Sequence, residues 1–137
     1  MELLPERHIN SLFVEQFMEY ETHVRNAEEN VKAALHAYNM KWDTVVAETA
    51  FKAVEQAIEM HAALEGIHMR SHAERIGFAD ERYPEVAKVL RRLRRNYGDL
   101  GYDGINGEKA TESIALMKKA LRVIGEVINF DFEEWFD

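Results

Sequence analysis

ERHINSLFVEQFMEYETHVRNAEENVKAALHAYNMKWDTVVAETAFKAVEQAIEMHAALE, residues 6–65, decides the fold. This stretch contains neither glycine nor proline; both prolines and all seven glycines of the chain lie outside it. Short strands joined by turns need those residues, so an uninterrupted run of this length predicts helix. Its apolar residues agree. Phe13, Phe17, Tyr20, Val24, Ala27, Val31, Ala34 and Tyr38 alternate in steps of four and three, which places them on one helical face. The spacing predicts a first helix from about Ile9 to Tyr38, ended at Asn39.

A second helix is predicted after Trp42-Asp43. Asp43 is of the type that caps a helix N-terminus, and Trp42 and Ala47 are spaced for a hydrophobic staple. Two apolar stripes lie side by side, Val46-Ala50-Ala53-Ala57-Met60-Leu64 and Ala47-Phe51-Val54-Ile58. So wide an apolar face places this helix at the centre of a bundle. Gly66 suits the left-handed position just after its end.

Beyond residue 65 the elements are shorter. Ser71-His72-Ala73-Glu74 has the S-x-x-E form of a capping box, opening a short helix to about Phe78. Pro84 suits the first position of the next helix, whose buried side is Val86, Val89, Leu90, Leu93 and Tyr97. Gly98, Gly101, Gly104 and Gly107 predict a loop. A last helix is expected from about Glu108 to Asn129, seamed by Ile114, Met117, Leu121, Ile124 and Ile128. The expected fold is all-α: an antiparallel four- to five-helix bundle in a single domain spanning 1–137, with its core in 9–129 and an acidic aromatic tail in 130–137.

Composition bounds the function. The chain has 137 residues and a net charge of −8, against which sequence-independent binding to a nucleic-acid backbone is disfavoured. The charge is uneven. Residues 81–95 hold six basic and two acidic residues, whereas residues 126–137 hold five acids and neither lysine nor arginine. A basic segment on an acidic body can still bind an anion. The absence of cysteine excludes disulfides, thiolate metal sites and cysteine nucleophiles, and fits a reducing compartment. No apolar run approaches membrane-spanning length, and residues 1–10 lack the apolar core of a signal peptide. The expectation is a cytoplasmic protein without membrane contact and without a cofactor.

Two residue sets carry candidate chemistry. On the basic helix, Arg91, Arg94 and Arg95 share a face, followed by Asn96, Asp99 and Tyr102. Clustered guanidinium groups hold phosphate by paired hydrogen bonds. The plainer reading is a solvated face, or arginines paired with the acidic tail or a partner chain. The second set is His61, Glu65, His68 and His72, at the spacing of ligands on one helix. Gly66 and the Ser71 capping box argue that no single helix carries all four, so surface histidines are the plainer reading and no metal is expected. Phosphate-binding glycine loops and nucleophile motifs are absent.

The order of features resembles the HEPN family. The stretch Val45 to Ile58 resembles its alanine-rich second helix, and Gly66 followed by Ser71-His72 resembles the entry to its third. Arg95-Asn96 resembles the start of its R-x4–6-H motif; Arg95, Asp99 and Tyr102 resemble branches with arginine, aspartate and tyrosine. Glu108-Lys109-Ala110 and the seam after it resemble the closing helix. The resemblance covers roughly residues 20–128 and implies a homodimer that binds RNA or a nucleotide-type ligand. It also implies a place in a toxin–antitoxin pair or beside a nucleotidyltransferase-type or other protein partner. In the family, the motif's arginine and histidine from two subunits form a metal-independent ribonuclease centre at the dimer interface. Here Leu100, Gly101 and Tyr102 stand where the histidine belongs. Imidazole exchanges protons near neutral pH, and neither leucine, glycine nor an ordinary phenol does. The resemblance therefore carries the fold, the dimer and the phosphate-binding arginine further than it carries cleavage, and no catalytic residue is assigned. A non-catalytic protein-interaction module and a metal-binding bundle are the alternatives.

Overall fold

The computed structural model describes residues 6–102 and 107–137, with side chains from 12–100 and 107–137. It consists of five helices: α1 (Glu6–Asn39), α2 (Asp43–Leu64), α3 (His72–Arg82), α4 (Pro84–Tyr102) and α5 (Gly107–Ile128), followed by a 3-10 turn, Phe132–Trp135. No strand occurs among the described residues, and none of their helices is long and apolar enough to cross a membrane.

α2 is the hub. It packs against α1 along much of its length and touches α3, α4 and α5 as well. Val46, Ala47, Ala50, Ala53, Val54, Ala57, Ile58, Met60 and Ala62 are all completely buried. That is the double stripe closed over from several sides, except at Leu64, its last member, which is half exposed, and its many alanines let neighbouring backbones approach closely.

Local rules set the ends. α2 closes in a Schellman motif: Gly66 N–H donates to Ala63 O at 3.0 Å, Ile67 N–H donates to Ala62 O at 2.8 Å, and Gly66 has φ +71. The start of α2 differs from the expectation. Trp42 occupies the capping position without a side-chain cap, and Asp43 is already helical. Trp42 is half exposed and meets the edge of His36 with ring centroids 5.6 Å apart, so it packs on α1 rather than as a staple. Ser71 caps α3 as expected, its Oγ accepting from Glu74 N at 3.1 Å, while Glu74 Oε2 accepts from Arg70 N at 3.0 Å.

Two helices outrun their predicted ends. α3 continues past Phe78 because Ala79 and Tyr83 also face the core. α4 runs through Gly98 to Tyr102. Leu100 is 2% exposed, and that burial draws the last turn of α4 against the bundle despite the glycines. Thr44 Oγ1 donates to Leu100 O at 3.4 Å, which ties the end of α4 to the start of α2. Gly104, predicted in the same loop, lies outside the described residues.

The aromatic tail docks. Asn129, at φ 57, turns the chain, and Phe130 N–H donates to Gly125 O at 2.9 Å. Phe132 and Trp135 are buried, their rings 5.3 Å apart, against α5 and the flank of α1.

Candidate functional site

α4 is amphipathic to its last turn. Val86, Ala87, Leu90 and Leu93 are completely buried, which turns the four arginines between Arg91 and Arg95 outward or sideways. Their fates differ. Arg91 forks Asp80 of α3, with N–O distances of 2.6 and 3.3 Å. Arg92 forks Glu112 of α5 at 2.6 and 3.3 Å. Arg94 and Arg95 are exposed and have no ion-pair partner among the described residues. Tyr97, expected on the buried side of this helix, is instead 38% exposed, one helical turn from Arg94 and on the same side.

The predicted companions of Arg95 point elsewhere. Asn96 is completely buried between α4 and α5. Its Nδ2 donates to Glu112 Oε1 at 2.9 Å and to Ser113 Oγ at 3.1 Å, while its Oδ1 is buried without a partner. Asp99 is paired with Lys109 of α5. The Lys109 ammonium, helped by the fields of Arg95 and Arg92, holds the Asp99 carboxyl below its ordinary range. Arg92, and then Asn96, do the same to Glu112. Tyr102 ends α4, and its side chain lies outside the described residues. The six predicted positions thus separate. Asn96 and Asp99, joined by Arg92, lock α4 to α5, Arg91 is taken by Asp80 of α3, Arg94 and Arg95 remain open to solvent, and the Tyr102 side chain is outside the described residues.

The histidine set is not assembled. α2 stops at Leu64, and three different carboxylates take the three histidines. His61 Nε2 is 2.8 Å from Glu65 Oε2, His68 Nδ1 is 2.7 Å from Glu19 Oε1, and His72 Nδ1 bonds Glu55 Oε2. Among the described residues no three histidine or carboxylate groups converge on a metal position. Burial is the leading influence on His61 and lowers its basicity, while burial raises the phenol of Tyr83. With the imidazole neutral and the phenol protonated, Tyr83 O–H donates to His61 Nδ1 at 3.1 Å and His61 Nε2–H donates to Glu65. Arg82 closes the row on Glu65 at 2.6 and 3.0 Å.

One cluster goes beyond the sequence reading. Glu55 and Glu59, one turn apart on α2, are 5% and 2% exposed. Arg75 of α3 bridges them, with its Nε 2.8 Å from Glu59 Oε1 and its NH1 3.2 Å from Glu55 Oε2. From α1, His23 Nδ1 donates to Gln56 Oε1 at 2.7 Å and presents Nε2 to Glu59 Oε2 at 3.6 Å. The signal was available. A helix apolar on two adjacent stripes has too little free surface left to keep both acids in water.

Compared with protein-family models, with curated proteins and with solved structures, the chain matches none.

Proposed function

We propose that this chain is a HEPN-like helical domain, acting as a homodimer, that binds RNA or a nucleotide-type ligand through phosphate contacts on the open face of α4. The observation that supports this reading is the pair Arg94 and Arg95: two exposed guanidinium groups that make no ion pair among the described residues, on a chain of net charge −8. Acidic partners are plentiful in this sequence and satisfy Arg91 and Arg92 on the same helix. Guanidinium groups left open among so many carboxylates are suited to an external anion. Tyr97 offers a ring beside Arg94 on which a base can stack.

In this reading Arg94 and Arg95 hold phosphate. Arg91 becomes available only by leaving Asp80. Asn96 and Asp99 fix α4 on α5 and so aim the arginines. Because no histidine follows Arg95 at the family spacing, the reading is binding without assigned catalysis. An acidic protein partner on the same arginines is the alternative that the test below separates from it.

Fluorescence anisotropy of a labelled single-stranded RNA, across a salt series, tests the proposal for wild type, Arg94→Ala and Arg95→Ala. Two phosphate contacts predict a slope of log affinity against log salt of roughly −1.4, falling toward −0.7 when either arginine is removed. Binding unchanged in both variants, or no binding at low salt, would sink the reading.

A further inference from the structure

Helix α1 outruns the helix that covers it. Gln16 Nε2 donates to Ala63 O and Leu64 O, both at 3.0 Å, so Gln16 is level with the end of α2. Toward its N-terminus α1 continues from Glu15 back to Glu6, about 15 Å further. Phe13 and Phe17 carry the apolar stripe onto this uncovered part and are 73% and 56% exposed, with Leu64 half exposed beside them. These three residues, with Gln16 and Tyr20, line a concavity of about 270 Å³. Contiguous exposed apolar surface of this kind marks an association site.

The charge around the stripe is one-sided. Between Leu12 and Val24 there are three glutamates and neither lysine nor arginine. Helical geometry puts Glu19 and Glu21 on opposite flanks of the stripe and Glu15 behind it. Glu19 is engaged by His68 at 2.7 Å, whereas Glu15 and Glu21 make no ion pair among the described residues.

We propose that the uncovered end of α1 is a docking site for an amphipathic helix of a different protein, with apolar residues at i, i+3, i+4 and i+7 and lysine or arginine along its flanks. That helix lies on α1 where α2 would run if it were longer. Its apolar face fills the concavity beside Leu64 and covers Phe13 and Phe17, and its basic flanks meet Glu19 and Glu21. Charge complementarity selects this occupant. The same stretch of a second copy would bring three further glutamates and no lysine or arginine to answer them. An anionic lipid surface is opposed by the same acids. The site is separate from the open arginines and does not depend on their role. It lies at the Leu64 end of α2, whereas Leu100, near the end of α4, is tied to Thr44 at the other.

Fluorescence anisotropy on the full chain at physiological salt tests this with two labelled helical peptides of one pattern. Both carry leucine at i, i+3, i+4 and i+7, and the remaining positions are lysine in one and glutamate in the other. The lysine peptide is expected to bind, and the glutamate peptide to bind at least about tenfold more weakly. Phe13→Ser/Phe17→Ser alters no charge. It is expected to weaken the lysine peptide by about tenfold or more with unchanged circular dichroism, since both rings are exposed. Glu21→Gln should weaken it by a factor of about two to five and reduce its salt dependence. Arg94→Ala/Arg95→Ala should leave it unchanged. Equal binding of the two peptides, or lysine-peptide binding that survives Phe13→Ser/Phe17→Ser, would mean attraction to net charge alone and overturns the site. A wild type that light scattering finds dimeric, made monomeric by Phe13→Ser/Phe17→Ser, overturns it too, because a second copy then holds the seam.

Discussion

At Glu59 the two carboxylate oxygens meet different surroundings. Arg75 Nε donates to Oε1 at 2.8 Å, and Oε2 is buried without a hydrogen bond, facing His23 Nε2 at 3.6 Å. Glu55, one turn earlier, shares the same guanidinium and adds His72. Two buried carboxylates thus depend on one arginine. Taking a charge out of water is costly unless a partner is close, and removing the partner leaves that cost uncompensated. Arg75→Met is therefore expected to lower unfolding stability by about 3–5 kcal/mol, read from urea denaturation at pH 7. Adding Glu55→Gln and Glu59→Gln in the same chain should recover much of the loss, because neutral amides no longer demand the guanidinium. A loss below about 1 kcal/mol, the range of exposed pairs, would mean that water or His23 already compensates the acids. Arg94 and Arg95 stand at the opposite extreme. They are exposed and unpaired among the described residues, and their substitution should leave stability nearly unchanged while altering anion binding.

Among the elements, the docked tail makes a demand on one residue of α5. A Cβ added at Gly125 would lie 2.4 Å from Phe130 O and 3.1 Å from a Phe132 ring carbon. In an exposed helix interior, glycine to alanine gains about 1 kcal/mol. Here the sign should reverse, because the contact is with backbone and cannot yield without undocking the tail. Gly125→Ala is expected to destabilise by about 1–3 kcal/mol. It should also red-shift the emission of Trp135 in a Trp42→Phe background. A stabilised variant with unshifted emission would show that the tail does not pack as described. The sequence announced the tail's aromatics but not their docking, since burial of Phe132 and Trp135 is decided by where α1 and α5 converge. The same division holds elsewhere. Helix periodicity, the Ser71 cap, Gly66 and Pro84 act through neighbours a few residues away and are legible. The length of α4 was not, because the burial of Leu100 depends on α2, and a glycine count cannot see that. The basic helix was legible as a helix with arginines. Which of them stay open depended on Asp80 and Glu112, 11 and 20 residues distant.

For the whole molecule, the charge balance has a measurable consequence. The chain carries a net charge of −8, and residues 126–137 hold five acids with neither lysine nor arginine, whereas Arg94 and Arg95 stand open on α4. Glu126 lies 14 residues, about 21 Å, along α5 from Glu112, the partner of Arg92. That is more than the Debye length of about 8 Å at physiological salt and less than the length of about 30 Å at 0.01 M. At physiological salt a phosphate therefore meets the two guanidinium groups alone, and at low salt the acidic end of the molecule opposes them. Removing two exposed acids, Glu126→Gln/Glu134→Gln, should raise affinity for a single-stranded RNA at 0.01 M salt and leave it unchanged at 0.15 M. Anisotropy titrations at the two salt concentrations check this. An equal gain at both would mean that these acids reach the arginines directly, and no gain at either would mean that the RNA does not approach the acidic end.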